Sequence, residues 1–469
     1  MKKFNKDKYL RKLKLKRYWQ NNSRYFYIGI PCLLCLVLGV YFAYSKFFVA
    51  SEEEVVRTTV GEFIYGDIIM TPYVDGQYSS TFPEKKTGIN VEKVVCDNGV
   101  TASWDEDKWG LHATNLSKRT KCSVYFVTPA SCGINDNVSC INSREGLATL
   151  ANEVNNGDNK SGKIIYLTSD LDLGGKFDSD GNALDGNISW TPIGTDSNPF
   201  SGTFDGNGHI ISNMYVNRPN DNYNGLFGYS PNSFIKNLGV TLSYIIGNRS
   251  QASVTGSGGT IKNIFSSAVV SGIARTAGIC AERCTVINSY NAGNIVNKTE
   301  DITGGILGGW GTVKSSYNYG HVSSKAASIG GIAGWEANSY YNYNLGLITS
   351  SNTTTGGIVG CGSGDKFIKY SYNSGNLINS PGGGILGYQY NVESLNNFTM
   401  KLINNYYLIG SASYGLGRYQ SNQGAEPLSQ DEMPSVISVI NGDNAFVEDT
   451  NNINNGYPIL KWQAERENN

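Results

Sequence analysis

Only three histidines, His112, His209 and His321, occur in the 469 residues, and none stands in an H-E-x-x-H. That spacing is what sets two imidazoles on one helical face around zinc, so a zinc peptidase is excluded. Carboxylates are the next chemistry to test. A polysaccharide lyase or hydrolase needs paired acids, or acids holding Ca²⁺ beside a basic group. From Ser253 to Gly410 the acids are Glu282, Glu300, Asp301, Glu336, Asp365 and Glu393, in no consistent slot. Glu300 and Asp301 are adjacent, and neighbours on a strand point to opposite faces. Upstream lie Asp170, Asp172, Asp178, Asp180, Asp185 and Asp205. DSDGN at 178–182 has the short-spaced oxygens that open a calcium loop. No Glu closes it and its Gly falls too early, so a solvated turn is expected. No catalytic, cofactor-binding or metal residue is assigned, and the chain is read as a non-enzyme.

Tyr-Asn pairs carry more information. Tyr290-Asn291, Tyr317-Asn318, Tyr343-Asn344 and Tyr372-Asn373 recur in equivalent places and should stack into columns. Asn ladders satisfy turn backbone and each other, while stacked rings hold successive layers together. An exposed column of Tyr290, Tyr317, Tyr343 and Tyr372 is also a candidate ligand platform, because tyrosine gives wide contact at low entropic cost.

The elements that would position these residues follow from composition and order. Gly (56) and Tyr (30) are abundant, charged residues are only 16% and the net charge is −1. Short strands joined by tight Gly/Asn turns are expected. The charge balance gives no basic face for a nucleic-acid partner. Residues 1–24 break that balance, with ten Lys and Arg against Asp7. Tyr25–Tyr44 then runs without a charge until Lys46, about the 20 apolar residues a membrane helix needs. With SEEE following at 51–54, the positive-inside rule keeps the N-terminus cytoplasmic and places 51–469 outside the cell. The competing reading is a cleaved signal peptide, which the long basic region and Phe48 at the −3 position disfavour. Cys32 and Cys35 fall within the span as apolar filler. In an oxidising compartment the local pairs are Cys96/Cys122, Cys132/Cys140 and Cys280/Cys284, leaving Cys361 odd.

The expected organisation is a basic tail (1–24), a transmembrane helix (25–45), a stalk (46–90) and a small β unit (91–130). A helical N-cap (140–162), a solenoid (163–424) and a C-terminal cap (425–469) follow. Ser143 ahead of Leu147, Leu150, Ala151 and Val154 has an N-cap and an apolar stripe. A Gly-Gly-Ile-x-Gly element begins at Gly304, Gly330, Gly356 and Gly383, with the same slot at Asn224, Gln251 and Ala277. These starts are 27, 26, 27, 26, 26 and 27 residues apart. Such self-similarity means stacked units that bury their apolar face only against neighbours. The fold class is mainly β, a parallel solenoid with coils of about 26 residues.

NGLFG at 224–228, the GGIxG series, WTPIG…FSGTFDGNGHIISNMYV and the closing YPILKW resemble GLUG-motif repeat proteins of bacterial surfaces, over roughly residues 140–465. The basic anchor and small β unit look like exported proteins of Gram-positive bacteria. The resemblance implies a right-handed parallel β-helix and an adhesin-like role toward glycans or surface proteins. The alternatives are a polysaccharide lyase or hydrolase on a β-helix, and a passive cell-surface spacer.

Overall fold

The computed structural model describes strands between residues 68 and 127, then the chain from 137 to 467 except at 300, 326 and 353. The basic tail, the apolar span and most of the 46–90 stalk lie outside the described residues. Among the described residues no helix is long and apolar enough to cross a membrane.

Two small antiparallel sheets come first. Thr120–Val127 pairs with Asn90–Cys96 and with Ile68–Met70. Gly110–Ala113 lies between Tyr78–Thr81 and Ala102–Asp105. The unit expected over 91–130 therefore draws strands from as far back as Ile68. Cys96 faces Cys122 in register and is disulfide-bonded, as is Cys140; Cys132 lies outside the described residues.

From Val138 onward the chain winds into a parallel solenoid of about ten coils. One column of strands shows the stacking. Val138–Ile141, Ile164–Leu167, Thr203–Asp205, Phe234–Lys236, Thr260–Lys262 and Thr285–Ile287 pair each on the next. Thr312–Lys314, Asn338–Tyr340, Phe367–Lys369 and Lys401–Ile403 continue it. Period-two alternation turns Ile165, Phe204, Ile235, Ile261, Val286, Val313 and Ile368 into the interior, all fully buried. The Ile or Leu of each GGIxG slot (Leu226, Ile279, Ile306, Ile332, Ile358, Ile385) joins the same core from the opposite wall.

The interior is not wholly apolar. Asn291 Nδ2 donates to Asn318 Oδ1 (2.9 Å), Asn318 to Asn344 (2.9 Å) and Asn344 to Asn373 (2.8 Å). The same amides donate to the carbonyls of Gly293, Gly320, Gly346 and Gly375. A second ladder runs beside it. The N–H groups of Ser289, Ser316 and Asn342 each bond the side chain of Ser316, Asn342 or Ser371 one coil on (3.1, 2.8 and 3.2 Å). The second Gly of GGIxG belongs to this arrangement: a Cβ at Gly305 would collide with the Gly331 carbonyl and with Asn318 Cγ. Each coil also turns one corner in the left-handed region, at Asn237, Asn263, Asn288, Ser315, Tyr341, Tyr370 and Asn404 (φ 48–57°). Asn tolerates that region best among residues with a side chain.

The helix Arg144–Asn155 starts at Ser143, whose Oγ accepts from Gly146 N (3.1 Å), and buries Leu147, Leu150, Ala151 and Val154 in the solenoid core. Val138–Ile141 before it is already in the stack, so the solenoid begins ahead of the helix. The C-terminal region differs from expectation. Ala425–Leu428 still pairs with Asn405–Leu408, and residues 429–467 fold back along the side of the solenoid instead of closing its end. The reason is an apolar surface on that side, described below. Cys280 and Cys284 form a disulfide, while Cys361 is free and buried.

Replacing Asn318 with Ala removes one rung: the buried Asn291 amide is left with Gly293 O alone, Asn344 Oδ1 with Gly346 N alone, and the Gly320 carbonyl loses its side-chain donor. The expected loss is about 2–3 kcal/mol, read as a lowered thermal midpoint. Tyr319→Ala, at the exposed next position, should change stability by less than about 0.5 kcal/mol; equal effects would remove the ladder from the account.

Candidate functional site

The structure brings the expected tyrosine column together. Ring centroids are 4.8 Å apart for Tyr290–Tyr317 and Tyr317–Tyr343, and 5.1 Å for Tyr343–Tyr372, with planes within 4° of parallel. Phe265 extends the stack at 4.6 Å below Tyr290, and Tyr406 follows Tyr372 in register.

The column is not an open platform, which corrects the expectation that it meets a ligand. The returning strap covers it. Met433, Val436, Ile440, Phe446, Tyr457 and Leu460 form a second hydrophobic core with Tyr341, Tyr343 and Tyr372. Tyr343 Oη donates to Gln463 Oε1 (2.5 Å), and Tyr372 Oη donates to Pro458 O (2.6 Å) while accepting from Asn454 Nδ2 (2.5 Å). Trp462 lies 5.9 Å from Tyr317 and donates to Ser315 O (2.8 Å). Tyr343 and Tyr372 are fully buried and Tyr290 nearly so. A bare ladder of rings would be a large exposed apolar patch, and the strap removes it from water. Burial pushes the Tyr343 and Tyr372 hydroxyls well above the ordinary value of 10.

The aromatic surface that stays open lies on the GGIxG wall. One register file on it, a residue per coil, holds the half-buried Tyr229, Trp335 and Tyr388 and the buried Ser257, Glu282, Gly309 and Cys361. Tyr223 and Tyr229 pair at 5.1 Å, and Trp335 meets Tyr390 edge-on at 5.2 Å, with Tyr390 48% exposed. The Arg418 guanidinium sits 5.2 Å from the Tyr388 ring. Between these pairs Arg275 stacks 4.6 Å over Trp310 and is ion-paired to the buried Glu282. Asp301 is 4.0 Å from the same guanidinium. Ser257 Oγ and Arg275 Nε are buried there without a hydrogen-bond partner. Ser257 and Gly309, the small residues in this file, are buried beside the Arg275–Glu282 pair. Sequence reasoning missed this wall because its outward residue changes from coil to coil. The recurrent signal in GGIxG is the inward Ile.

Other acids fall into place around it. Ser363 Oγ donates to Glu336 Oε2 (2.6 Å) and to Asp365. Lys366 and Ser363 hold the Asp365 carboxyl below the usual carboxylate range. Asp178 is satisfied by its own turn, accepting from Asp180 N (2.9 Å) and from Asn182 N (2.8 Å). Among the described residues no cluster of three or more His, Cys, Asp or Glu side chains could hold a metal. His209 contacts Asp170 and His321 contacts Thr349. Burial and Glu336 push the Cys361 thiol up to about 12, far from the range of a reactive thiolate.

No protein-family model matches the sequence. Over 85 residues (18% of the chain) it is 38% identical to a protein of Evansella cellulosilytica provisionally named a Gly-rich membrane protein. Over 132 residues (28% of the chain) it is 33% identical to halomucin of Haloquadratum walsbyi. These matches span only 9% and 1% of the two relatives. A solved structure from Bacteroides ovatus, provisionally named an immunoglobulin A1 protease, superposes loosely. Its TM-score is 0.43 at 20% identity, over 70% of this chain and 94% of that one.

Raised tyrosine pKa values stabilise the neutral, strapped state. That stability is complete below the ordinary pKa of 10 and is lost as pH rises through the folded values. Hydrogen exchange of 433–460 should therefore be flat from pH 7 to about 10, after correction for the intrinsic rate, and accelerate above it. Trp462→Ala should speed exchange in the strap severalfold at pH 7 while sparing the Asn-ladder strands. Uniform acceleration of both would show that the strap is not a separate layer.

Proposed function

We propose that this chain is a membrane-anchored surface protein, its solenoid outside the cell, that binds glycans in an adhesin-like manner through the GGIxG wall. The apolar span at 25–45 would hold it to the membrane, N-terminus inside. The Cys280–Cys284 disulfide is of the kind that persists in oxidising compartments. The Evansella relative's name, a membrane protein, is consistent with this placement, as is the resemblance to GLUG-motif proteins of Gram-positive surfaces.

One observation carries the ligand class. Half-buried rings at Trp310 and Trp335, with the exposed Tyr390, lie on the same wall as the Arg275–Glu282 pair, Trp310 directly under Arg275 and Trp335 two coils on from Glu282 in register. Sugar rings pack their C–H faces on aromatic side chains and offer hydroxyls to planar polar groups. Arg275 is already neutralised, and Asp301 adds a negative charge beside it, so neutral glycans suit this wall better than acidic ones.

A hydrolase reading has one observation in its favour. Glu336 and Asp365 share the Ser363 hydroxyl beside Trp335, so two carboxylates are close together, as a glycosidase requires. Asp365, held below the usual range by Lys366, suits a base or nucleophile and not the proton donor such a pair also needs.

The full chain in detergent, applied to a glycan array, should be retained on a subset of neutral glycans. Trp335→Ala and Trp310→Ala should each weaken that binding about tenfold, about 1.4 kcal/mol, with the thermal midpoint of Trp335→Ala unchanged. Retention insensitive to both would sink the wall as the site. Shortening of the bound polymer, abolished by Glu336→Gln, would move the assignment to a hydrolase.

A further inference from the structure

A second face carries an arrangement that the glycan wall does not use. In the strand column that begins at Val138–Ile141, the outward positions in register are Asp205, Lys236, Lys262, Ile287, Lys314, Tyr340 and Lys369. Four lysines thus stand in one file over five coil steps, roughly 24 Å at about 4.8 Å per step. Lys401 follows one coil later, beside Phe367. Asp205 is fully buried against Lys236 (2.9 Å), Lys262 has a partner of its own, and Asp443 of the strap reaches Tyr341 at the margin. Lys314, Lys369 and Lys401 carry the rest of the file's positive charge in a chain of net charge −1.

The ammonium groups are held in place. Lys236 lies 5.6 Å from the Phe234 ring, Lys314 5.3 Å from Tyr340 and Lys369 4.5 Å from Phe367. Their stems run flat along the sheet and the charges stay at fixed heights. The alternate outward positions include Thr260, Thr285 and Thr312, stacked in register. At the N-terminal end the face opens into a shallow groove of about 540 Å³, lined by Lys163, Ser201, Asn232, Ser233, Phe234 and Thr260.

We infer that this file is a binding site for a linear acidic polysaccharide lying along the solenoid axis. Charge complementarity selects a polyanion, and a file one residue wide selects an extended single chain. The threonine hydroxyls and intervening rings match sugar hydroxyls and sugar faces. The disulfide-bearing solenoid favours a glycan over a nucleic acid, which shares the charge but not the compartment. Salt should weaken the interaction, because bound counterions are released on contact. This site is independent of the GGIxG wall.

Lysine acetylation footprinting of the full chain tests it site by site, so the basic residues 1–24 do not obscure the answer. Heparin and polygalacturonate should each lower acetylation at Lys262, Lys314 and Lys369 at least threefold. Lys298 and Lys325, exposed and outside the file, should not change, and dextran should protect none. Protection should disappear in high salt and persist in Trp335→Ala. Joint replacement Lys262→Gln, Lys314→Gln and Lys369→Gln should abolish protection of Lys401, whereas the three Lys→Arg changes should retain it. Lys236 is left intact in both variants because its loss would strand the buried Asp205. Protection confined to residues 1–24 would overturn the site. Equal protection by single-stranded DNA at matched charge would overturn the assignment to a glycan.

Discussion

A carboxamide sealed inside a protein needs a partner at hydrogen-bonding height, and in the middle of this solenoid Asn291, Asn318 and Asn344 each find an asparagine one coil on. The Asn291–Asn318–Asn344–Asn373 ladder sets the rest of the structure. A coil that gained or lost a residue between rungs would leave a buried donor and a buried acceptor unmet, at about 1–3 kcal/mol each. That constraint accounts for the near-constant repeat in the middle of the molecule. It also accounts for the second glycine of GGIxG, since the ladder and the glycine occupy the same space: Gly305 is bare because Asn318 is there. Two motifs that look separate along the chain are one packing unit. Where the ladder ends, the regularity ends with it. Asn373 turns to Ser411, and the last coil lengthens.

Much of this was legible in the chain. The repeat gave the coil and its inward Ile, and Ser143 with its apolar stripe gave the capping helix. The equivalent places of the Tyr-Asn pairs gave both columns, with the structural role of Asn. The tyrosine column shows why the rest was hidden. Periodicity says which residues stack, but not what lies on the stack, and residues 429–467 have no repeat to announce where they go. Their apolar residues, Met433, Val436, Ile440 and Phe446, suit a cap on an open end as well as a cover on a side. The open aromatic wall escaped for the opposite reason. Tyr229, Glu282 and Trp335 share a column without sharing a motif, because the residue in that register slot changes from coil to coil. The lysine file was masked by the overall charge, because the acids that balance it sit on other faces.

The solenoid thus separates its tasks by wall. One wall, rich in tyrosine, is spent internally on holding the strap. The GGIxG wall leaves aromatic rings at the surface beside paired charges, and the lysine wall is flat and cationic. Each follows from positions repeated about every 26 residues, while the inward position of the first strand column is Ile, Val or Leu in most coils, with Phe204 and Ser339 as the exceptions. Surface chemistry can therefore vary along one wall without disturbing the core, provided the buried rungs are kept.

The strap has a consequence for how the molecule comes apart. In a stack whose units touch only their neighbours, end units fray first and unravelling advances one unit at a time. Here Trp462 is bonded to Ser315, 147 residues earlier in the chain, and the strap spans the tyrosines from Tyr317 to Tyr372. The last coils are thereby fastened to the middle of the stack, and they cannot peel away until a whole second core has melted. A one-dimensional polymer of coils becomes, over its C-terminal half, a single cooperative block. Fraying is then left to the N-terminal coils, whose cover is the single helix Arg144–Asn155.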